Sequence, residues 1–304
     1  MMRFSPETEQ ALGHGLPLVA LESSVVAQGL PAPQNLEAHA ACEKAVREGG
    51  AIPAAIGVID GEIWVGMSPE QTRRLAEDPK RCKIGSRDLA PAVSQRRTGG
   101  ATVSASCAVA AASGIRVFAT GGIGGVHRFS RSRLDVSQDL WAISSLPVAV
   151  VCAGAKSLLD LESTLEALEA LGVPVVGVGT SEFPAFYARS SGLALEHRVD
   201  DAQAAAEMIQ VRFDRVRQGG IVFALPLPEQ DALPSGEVDE QISAALRLAA
   251  QREVVGKELT PFVLAELARS SAGKSLAANR SLLVHNARFA AELAVAEAKL
   301  RARN

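Results

Sequence analysis

The chain has few aromatic side chains and no surplus of positive charge. Aromatic residues make up 4% of its 304 residues, and the formal net charge at pH 7 is -3. A protein that binds a nucleic acid polymer generally offers a basic surface and aromatic rings on which bases stack. Because both are scarce, we expect no nucleic acid polymer among the partners.

Long apolar runs are missing as well. The longest have about ten residues, whereas a helix that crosses a bilayer needs about 20. Glu7 and Glu9 stand near the amino terminus, where a signal peptide requires an apolar run. The 4 cysteines are too widely spaced for a zinc knuckle or a redox pair. We therefore expect a cytoplasmic protein with reduced, buried thiols and no membrane partner.

What the chain does contain is short β-branched runs that alternate with Ala- and Leu-rich segments. The runs cover residues 16–21, 56–58, 115–120, 148–152, 173–178 and 220–225. Between them, segments such as 104–113 and 158–168 have helical character. This alternation predicts βαβ units around a mostly parallel central sheet, in a single domain that covers residues 1–304.

Two regions depart from this alternation. Residues 54–67 predict two strands joined at Asp60-Gly61, a favoured hairpin turn, and with them a small side layer or subdomain. The last third of the chain, from Glu237 onward, predicts helices over 242–253, 260–270 and 279–303.

Lys156 is one of only seven lysines, and it follows the apolar run 146–155 where a predicted strand ends and a helix begins. A lysine among small apolar residues loses hydration. It is therefore a candidate for a free amine that attacks a carbonyl carbon and forms an imine. The alternative is that its side chain reaches water or pairs with a carboxylate.

Two other features fall at the predicted carboxyl ends of strands. Glu22 closes the run 18–21, and the cluster Gly121–Gly125 follows Thr120. In an open parallel sheet, ligands bind at this edge because strand ends and helix amino termini converge there. The glycines match no nucleotide-binding fingerprint, since His127 takes the place of the third glycine and no Gly-Lys-Ser/Thr follows. A helix cap at Glu22 and a tight turn at the glycines are the alternatives.

Three polar residues elsewhere could complete a site. His127 could transfer protons, and Lys83 could bind an anion or act on the nearby amine. Asn279 could hydrogen-bond to an amide-like edge of a ligand. The alternatives are a surface histidine, a solvated lysine and an asparagine that caps the last helix.

Asp135 and Asp139 bracket Ser137 and are four residues apart. On one helical turn they would face the same way and could hold a hard cation. The alternative is that Asp135 or Ser137 is the N-cap of the helix that follows.

Motifs around these candidates run through nearly the whole chain. They are 20–23 (ALES), Lys83 with 87–89 (RDL), 118–128 (FATGGIGGVHR), 135–140 (DVSQDL), 152–157 (CAGAKS), 183–187, 226–230, 256–262 and 275–279. In these motifs the chain resembles the pseudouridine-5'-phosphate glycosidase family, also called the indigoidine-synthase-A-like family.

The resemblance implies a homotrimeric, three-layer α/β/α enzyme. It would reversibly split pseudouridine 5'-phosphate into uracil and ribose 5-phosphate with a divalent metal, Mn²⁺ or Mg²⁺. By resemblance, Lys156 is the nucleophile, Glu22 is the proton donor and Asp135 holds the metal. We expect substrate contacts from Lys83, Val103, Thr120, His127, Ser137, Gln138, Asp139 and Asn279.

The chemistry accounts for these residue types. Pseudouridine joins ribose to uracil by a carbon–carbon bond, so acid-assisted departure of an oxygen or nitrogen between two carboxylates is not available. If Glu22 helps to open the sugar ring and Lys156 adds at the anomeric carbon, nitrogen takes up positive charge as an iminium while the bond breaks. Lys83 would stabilise negative charge on the base, and a hydrated ion on Asp135 would neutralise the phosphate.

Four positions depart from the family pattern. Phe129 with Ser130 stands where Gly-Ala is usual, Gly85 with Ser86 where Ser-Arg is usual, Gln138 where a small residue is usual, and Leu225 where an asparagine is usual. A related C-nucleoside phosphate is therefore an alternative substrate. The rival functions are an imine-forming lyase or aldolase on another sugar phosphate, and a nucleotide-binding module without turnover.

Overall fold

The strands and helices are taken from a computed structural model, which describes residues 2–128, 135–254, 256 and 259–303. The strands are β1 (Met2–Phe4), β2 (Leu18–Glu22), β3 (Ile52–Ile59), β4 (Glu62–Val65), β5 (Cys82–Ile84), β6 (Gly99–Ala101), β7 (Val117–Ala119), β8 (Val126–His127), β9 (Ala149–Cys152), β10 (Leu159–Asp160), β11 (Val175–Val178), β12 (His197–Val199) and β13 (Ile221–Ala224). The α-helices are α1 (Pro6–Gly13), α2 (Gln34–Glu48), α3 (Pro69–Glu77), α4 (Leu89–Ser94), α5 (Val103–Ala112), α6 (Gln138–Ser145), α7 (Leu161–Ala170), α8 (Ala202–Gln210), α9 (Ser235–Gln251), α10 (Leu259–Ser270) and α11 (Lys274–Arg301).

A parallel sheet in the order β3-β2-β7-β9-β13-β11-β12 forms the centre of the molecule. Beyond β3, β4 is antiparallel and β1 pairs with β4. All residues of β2, β7, β9 and β13 are buried. Strands that are covered on both faces read as continuous apolar runs, because neither side chain direction reaches water.

Helices cover both faces of the sheet. On one face α11 packs across β2, β7 and β9, with α2 and α8 beside it. On the other face α5 packs on β2 and β7, with α6 beside it. Small residues such as Ala105 and Ala110, both fully buried, let α5 lie close to the sheet. The predicted three-layer α/β/α fold with a mostly parallel sheet is confirmed.

The predicted hairpin joins β3 and β4 through Asp60 and Gly61, whose φ angles are 51° and 79°. Two successive left-handed residues are typical of the tight turn that suits twisted strands. The carboxyl half of β3 also pairs with β6, and β6 with β5. This small branch off the main sheet carries Lys83. In the described part of the chain, no helix combines the length and the apolar character needed to cross a membrane.

The helix predicted from residue 242 begins at Ser235, and two helices next to site residues also begin at different residues than the sequence predicts. The helix expected from residue 158 begins at Leu161, because Asp160 accepts a hydrogen bond from the backbone N–H of Ser163 (3.0 Å) and caps it. The last helix begins at Lys274 instead of Asn279, directly after Gly273 at φ 85°. Both shifts move functional residues: Lys156 lies in a loop, and Asn279 lies inside a helix.

Candidate active site

Three neighbouring strands bring the two predicted catalytic residues and one predicted substrate contact to one edge of the sheet. Glu22 is the last residue of β2, Thr120 follows β7, and Lys156 lies four residues beyond β9. The order β2-β7-β9 places these ends side by side. Glu22 and Lys156 line one pocket together with Lys83 from β5 and Asn279 from α11. The rest of this substrate pocket is mostly apolar: Val25, Phe186, Pro261, Leu264 and Leu283.

Both carboxylate oxygens of Glu22 are held in place. Ser24 Oγ donates a hydrogen bond to Glu22 Oε2, and Thr120 Oγ1 donates to Glu22 Oε1. The residue is 6% exposed. Because its side chain faces the pocket from the end of a strand, the alternative of a helix cap at Glu22 is wrong.

Lys156 is half-buried on a loop that the neighbouring glycine segment holds. Its backbone N–H donates to Ile123 O (3.1 Å), and Ile123 N donates to Gly154 O (3.1 Å). Arg128 donates to Ser157 O (2.8 Å) and Leu159 O (3.2 Å) from the other side. The amine therefore extends from a fixed backbone into the pocket.

The glycine cluster is required because neighbouring side chains approach its backbone closely. A Cβ at Gly122 would lie 2.6 Å from the ring of Phe186, and a Cβ at Gly124 would overlap Ser137 Oγ. None of the glycines from 121 to 125 has a left-handed φ. The segment thus lets its neighbours pack against the backbone directly below the pocket.

Ser137, Gln138 and Asp139 form the start of α6. Ser137 Oγ accepts from Asp139 N (3.2 Å), so the predicted N-cap at Ser137 is confirmed. The Asp139 carboxylate is buried and accepts hydrogen bonds from Ser104 N (2.9 Å) and Gly124 N (2.8 Å). It ties α6 to α5 and to the glycine segment, and it does not share a helical face with Asp135, which precedes the helix.

His127 and Asp135 lie together beside the two lysines of the pocket. His127 Nε2 is 4.0 Å from Asp135 Oδ1. Burial lowers the pKa of His127, the positive charges of Lys83 and Lys156 lower it further, and Asp135 raises it. The imidazole is therefore neutral near pH 7, and its pKa depends on the charges of both amines.

The Asp135 side chain is 48% exposed. Across residues 2–128, 135–254, 256 and 259–303, no group of three or more His, Cys, Asp or Glu side chains is arranged to hold a metal ion. A single exposed carboxylate matches Mg²⁺ or Mn²⁺, which keep most of their waters when bound to proteins. The donor set therefore fits a hydrated hard cation.

Asn279 lies within α11 and is 7% exposed, so the alternative that it caps this helix is wrong. Its Nδ2 donates to Tyr187 Oη at 3.5 Å. Burial raises the pKa of Tyr187, which stays a neutral phenol. Val103 is buried at the start of α5, next to Ser104, whose N–H binds Asp139.

Sequence reasoning assigned no role to Ser24, Phe186 and Tyr187. Ser24 holds Glu22, Phe186 lines the pocket, and Tyr187 holds Asn279. The available signals were weak: Tyr187 is the single tyrosine of the chain, and the motif 183–187 carried no assigned chemistry.

Two of the departures from the family pattern lie together. Gln138 Oε1 accepts from Ser86 Oγ (3.3 Å), and a Cβ at Gly85 would come within 3.2 Å of the same oxygen. Glycine at position 85 therefore makes room for the longer side chain at 138. Leu225 is buried, and its N–H donates to Cys152 O (2.8 Å). Phe129 lies outside the described residues.

Comparison with known proteins identifies the family of the chain. The family model for "Indigoidine synthase A like protein" matches residues 7–296. A curated pseudouridine-5'-phosphate glycosidase of Myxococcus xanthus is 55% identical over 299 residues, covering 98% of this chain and 99% of that protein. One of Caldanaerobacter subterraneus is 45% identical, covering 97% and 96%.

Two solved structures share the fold. The prealnumycin C-glycosynthase AlnA, in complex with ribulose 5-phosphate, superposes with a TM-score of 0.92 at 36% identity and covers 100% of this chain and 99% of its own. An indigoidine synthase A-like protein of Thermotoga maritima has a TM-score of 0.88 at 33% identity, with 99% and 97% covered. Sequence and structure lead to one conclusion: this chain belongs to the indigoidine synthase A like family.

Proposed function

We propose that the protein is an enzyme that reversibly cleaves the carbon–carbon glycosidic bond of pseudouridine 5'-phosphate to uracil and ribose 5-phosphate. The observation that carries the proposal is that Glu22, Lys83, Lys156 and Asn279, four residues far apart in the chain, line one pocket. Curated relatives up to 55% identical over nearly the whole chain have this activity as their name.

Glu22 and Lys156 divide the bond-making steps between them. Glu22 donates a proton to the ring oxygen of the ribose as the ring opens, and the Lys156 amine bonds to the first carbon of the sugar. The nitrogen becomes an iminium, and the electrons of the carbon–carbon bond pass to the uracil ring, which takes up a proton. Water then releases ribose 5-phosphate and restores the amine.

Lys83 and Asn279 act on the base. Lys83 stabilises negative charge on uracil as the bond breaks, since a fixed charge in a partly buried site acts strongly on a developing one. Asn279, oriented by Tyr187, offers a donor and an acceptor to the amide edges of uracil.

A hydrated Mn²⁺ or Mg²⁺ on Asp135 would neutralise the phosphate when bound. By resemblance we also propose a homotrimer, which light scattering tests as three times the mass of one chain.

The test is release of uracil from pseudouridine 5'-phosphate in the presence of Mn²⁺, followed by borohydride reduction with ribose 5-phosphate. We expect uracil from the unaltered protein and a mass increase on the peptide that carries Lys156. In Lys156→Met both signals should vanish, because the nucleophile is gone. Lys83→Met, which alters the other lysine of the pocket, should slow uracil release but keep the covalent label.

The rival functions give other results. Covalent labelling without uracil would favour a lyase or aldolase on another sugar phosphate. Ligand binding with neither label nor uracil would favour a binding module without turnover. Full activity in Lys156→Met would remove this residue from the mechanism.

A further inference from the structure

A second, smaller cavity adjoins Glu22 on the side of α2. Glu22, Thr120, His39 and Cys42 contribute its polar lining, and apolar residues of β2, β7, α2 and α11 complete it. Its volume is about 20 Å³, which is enough for one water molecule. Glu22 thus borders two spaces: the substrate pocket and this rear cavity.

His39, which lines the rear cavity, has a buried ring nitrogen without a hydrogen-bond partner in the described structure. The side chain is 5% exposed, and Nε2 makes no hydrogen bond to any residue that the structure describes. The closest carboxylate oxygen in an ion-pair arrangement is Glu43 Oε1 at 3.6 Å, beyond good hydrogen-bond distance. Burying a ring nitrogen without a hydrogen-bond partner costs free energy, and such atoms usually hydrogen-bond to an ordered water.

We propose that His39 is a positioning residue that returns a proton to Glu22 through one water held in the rear cavity. This proposal rests on the proposed function, in which Glu22 gives up a proton in every turnover. Once the sugar fills the substrate pocket, the front of the carboxylate is closed to bulk water. The rear cavity provides another path.

The transfer balances without any further reactant. Glu22 loses its proton to the ring oxygen and becomes a carboxylate. The cavity water passes one of its protons to Glu22 while it accepts one from Nε2 of the His39 imidazolium. The buried Nε2 then regains a proton through the carboxyl group of Glu43, whose Oε1 lies 3.6 Å away and whose side chain, 25% exposed, exchanges protons with solvent.

Of the groups that line this path, His39 is the one suited to carry a proton to the water. Burial raises the pKa of Cys42 to about 12, with the charges of Glu43 and Glu22 adding and that of Arg280 on α11 opposing. Cys42 therefore stays a neutral thiol. Thr120 already donates its proton to Glu22. Imidazole is the side chain that exchanges protons most readily near neutral pH.

His39→Gln tests the proposal, because the amide can hydrogen-bond to the water but cannot pass on a proton. We expect kcat for uracil release at pH 7 to fall about tenfold or more, with KM changed less than about twofold, and the pH profile of kcat to move. Cys42→Ala alters the same cavity without touching the path and should keep the unaltered pH profile. A His39→Gln enzyme with unchanged kcat and pH profile would overturn the relay.

Should His39→Gln not fold, turnover of the unaltered enzyme in mixtures of H₂O and D₂O decides. A curved dependence of rate on deuterium fraction, indicating two protons in flight, supports the relay, and a linear one overturns it. If the unaltered enzyme does not release uracil, the proposed function itself is overturned. If the unaltered enzyme releases uracil and His39→Gln has the same kcat and pH profile, only the relay is overturned.

Discussion

At the scale of single residues, His127 couples the charge in the pocket to pH. Burial and the nearby lysines lower its pKa, so it is neutral in the free protein near pH 7. A phosphate dianion placed beside it would favour the charged imidazolium and raise that pKa again. Substrate binding and proton uptake should therefore be linked.

We predict that ribose 5-phosphate binds with uptake of part of a proton, and that its affinity falls as the pH rises from about 6 to about 8. The sign follows from the lowered pKa of the free protein, which binding of the anion reverses. Calorimetry in buffers of different ionisation enthalpy measures the uptake. His127→Asn should bind without it, and equal uptake in both proteins would contradict the assignment.

Tyr187 allows a second prediction at this scale. Tyr187→Phe removes the oxygen that accepts from Asn279 Nδ2 but leaves the buried ring. One lost hydrogen bond corresponds to about 1 kcal/mol, so KM for pseudouridine 5'-phosphate should rise about fivefold. Steady-state kinetics measure it. Borohydride labelling by ribose 5-phosphate, which lacks the base, should not change; a loss of labelling would place Tyr187 near the sugar instead.

At the scale of elements, the first turn of α6 separates two aspartates that the sequence presents as a pair. Asp139 binds two backbone N–H groups in the interior, whereas Asp135 is 48% exposed just outside the helix. Spacing alone could not distinguish them, because the distinction depends on where the helix begins.

We predict that the same substitution has different effects at the two aspartates. Asp139→Asn puts an NH₂ group against a backbone N–H in the interior and should lower the free energy of unfolding by about 2 kcal/mol. Asp135→Asn should leave stability within about 0.5 kcal/mol, as surface changes usually do, and should weaken activation by Mn²⁺. Chemical denaturation and metal titration of activity measure both; equal stability of the two variants would contradict the division.

Part of the site follows from patterns along single elements. The strand runs, the Asp60-Gly61 hairpin and the small-residue helix α5 were predictable because periodicity and turn chemistry act over a few residues. The starts of α7 and α11 were not, since Asp160 and Gly273 compete with other capping residues nearby.

At the scale of the whole molecule, α11 connects the pocket to the opposite edge of the sheet. Asn279 lines the pocket, Asn286 donates to Thr120 O (2.8 Å), and Glu297 lies near the other end of the helix. Glu297 is buried between Arg116 (3.0 Å) and Arg301 (2.9 Å). Burial raises the pKa of Glu297, and the two arginines oppose that shift.

Arg116→Met should lower the free energy of unfolding by about 3 kcal/mol, because it leaves a buried carboxylate with one partner fewer. The double variant Arg116→Met/Glu297→Leu should recover most of the loss, since the unpaired charge is gone. Denaturant titration of the three proteins measures this. If Arg116→Met were as stable as the unaltered protein, Arg116 would not be the residue that stabilises the charge of Glu297.

Patterns along the amino-acid sequence were sufficient to predict the alternation of strands and helices, the reactive residue types at three strand ends, and the family. These features depend on neighbours a few positions apart and on the chemistry of each side chain. The resemblance implied that Lys83 and Asn279 share a site with Glu22 and Lys156, but it was the packing of the folded chain that showed how the β5 branch and the interior of α11 reach that pocket, and that His39 borders the cavity behind it. Contacts between residues so far apart in the chain are set by how the layers pack, and no local pattern encodes them.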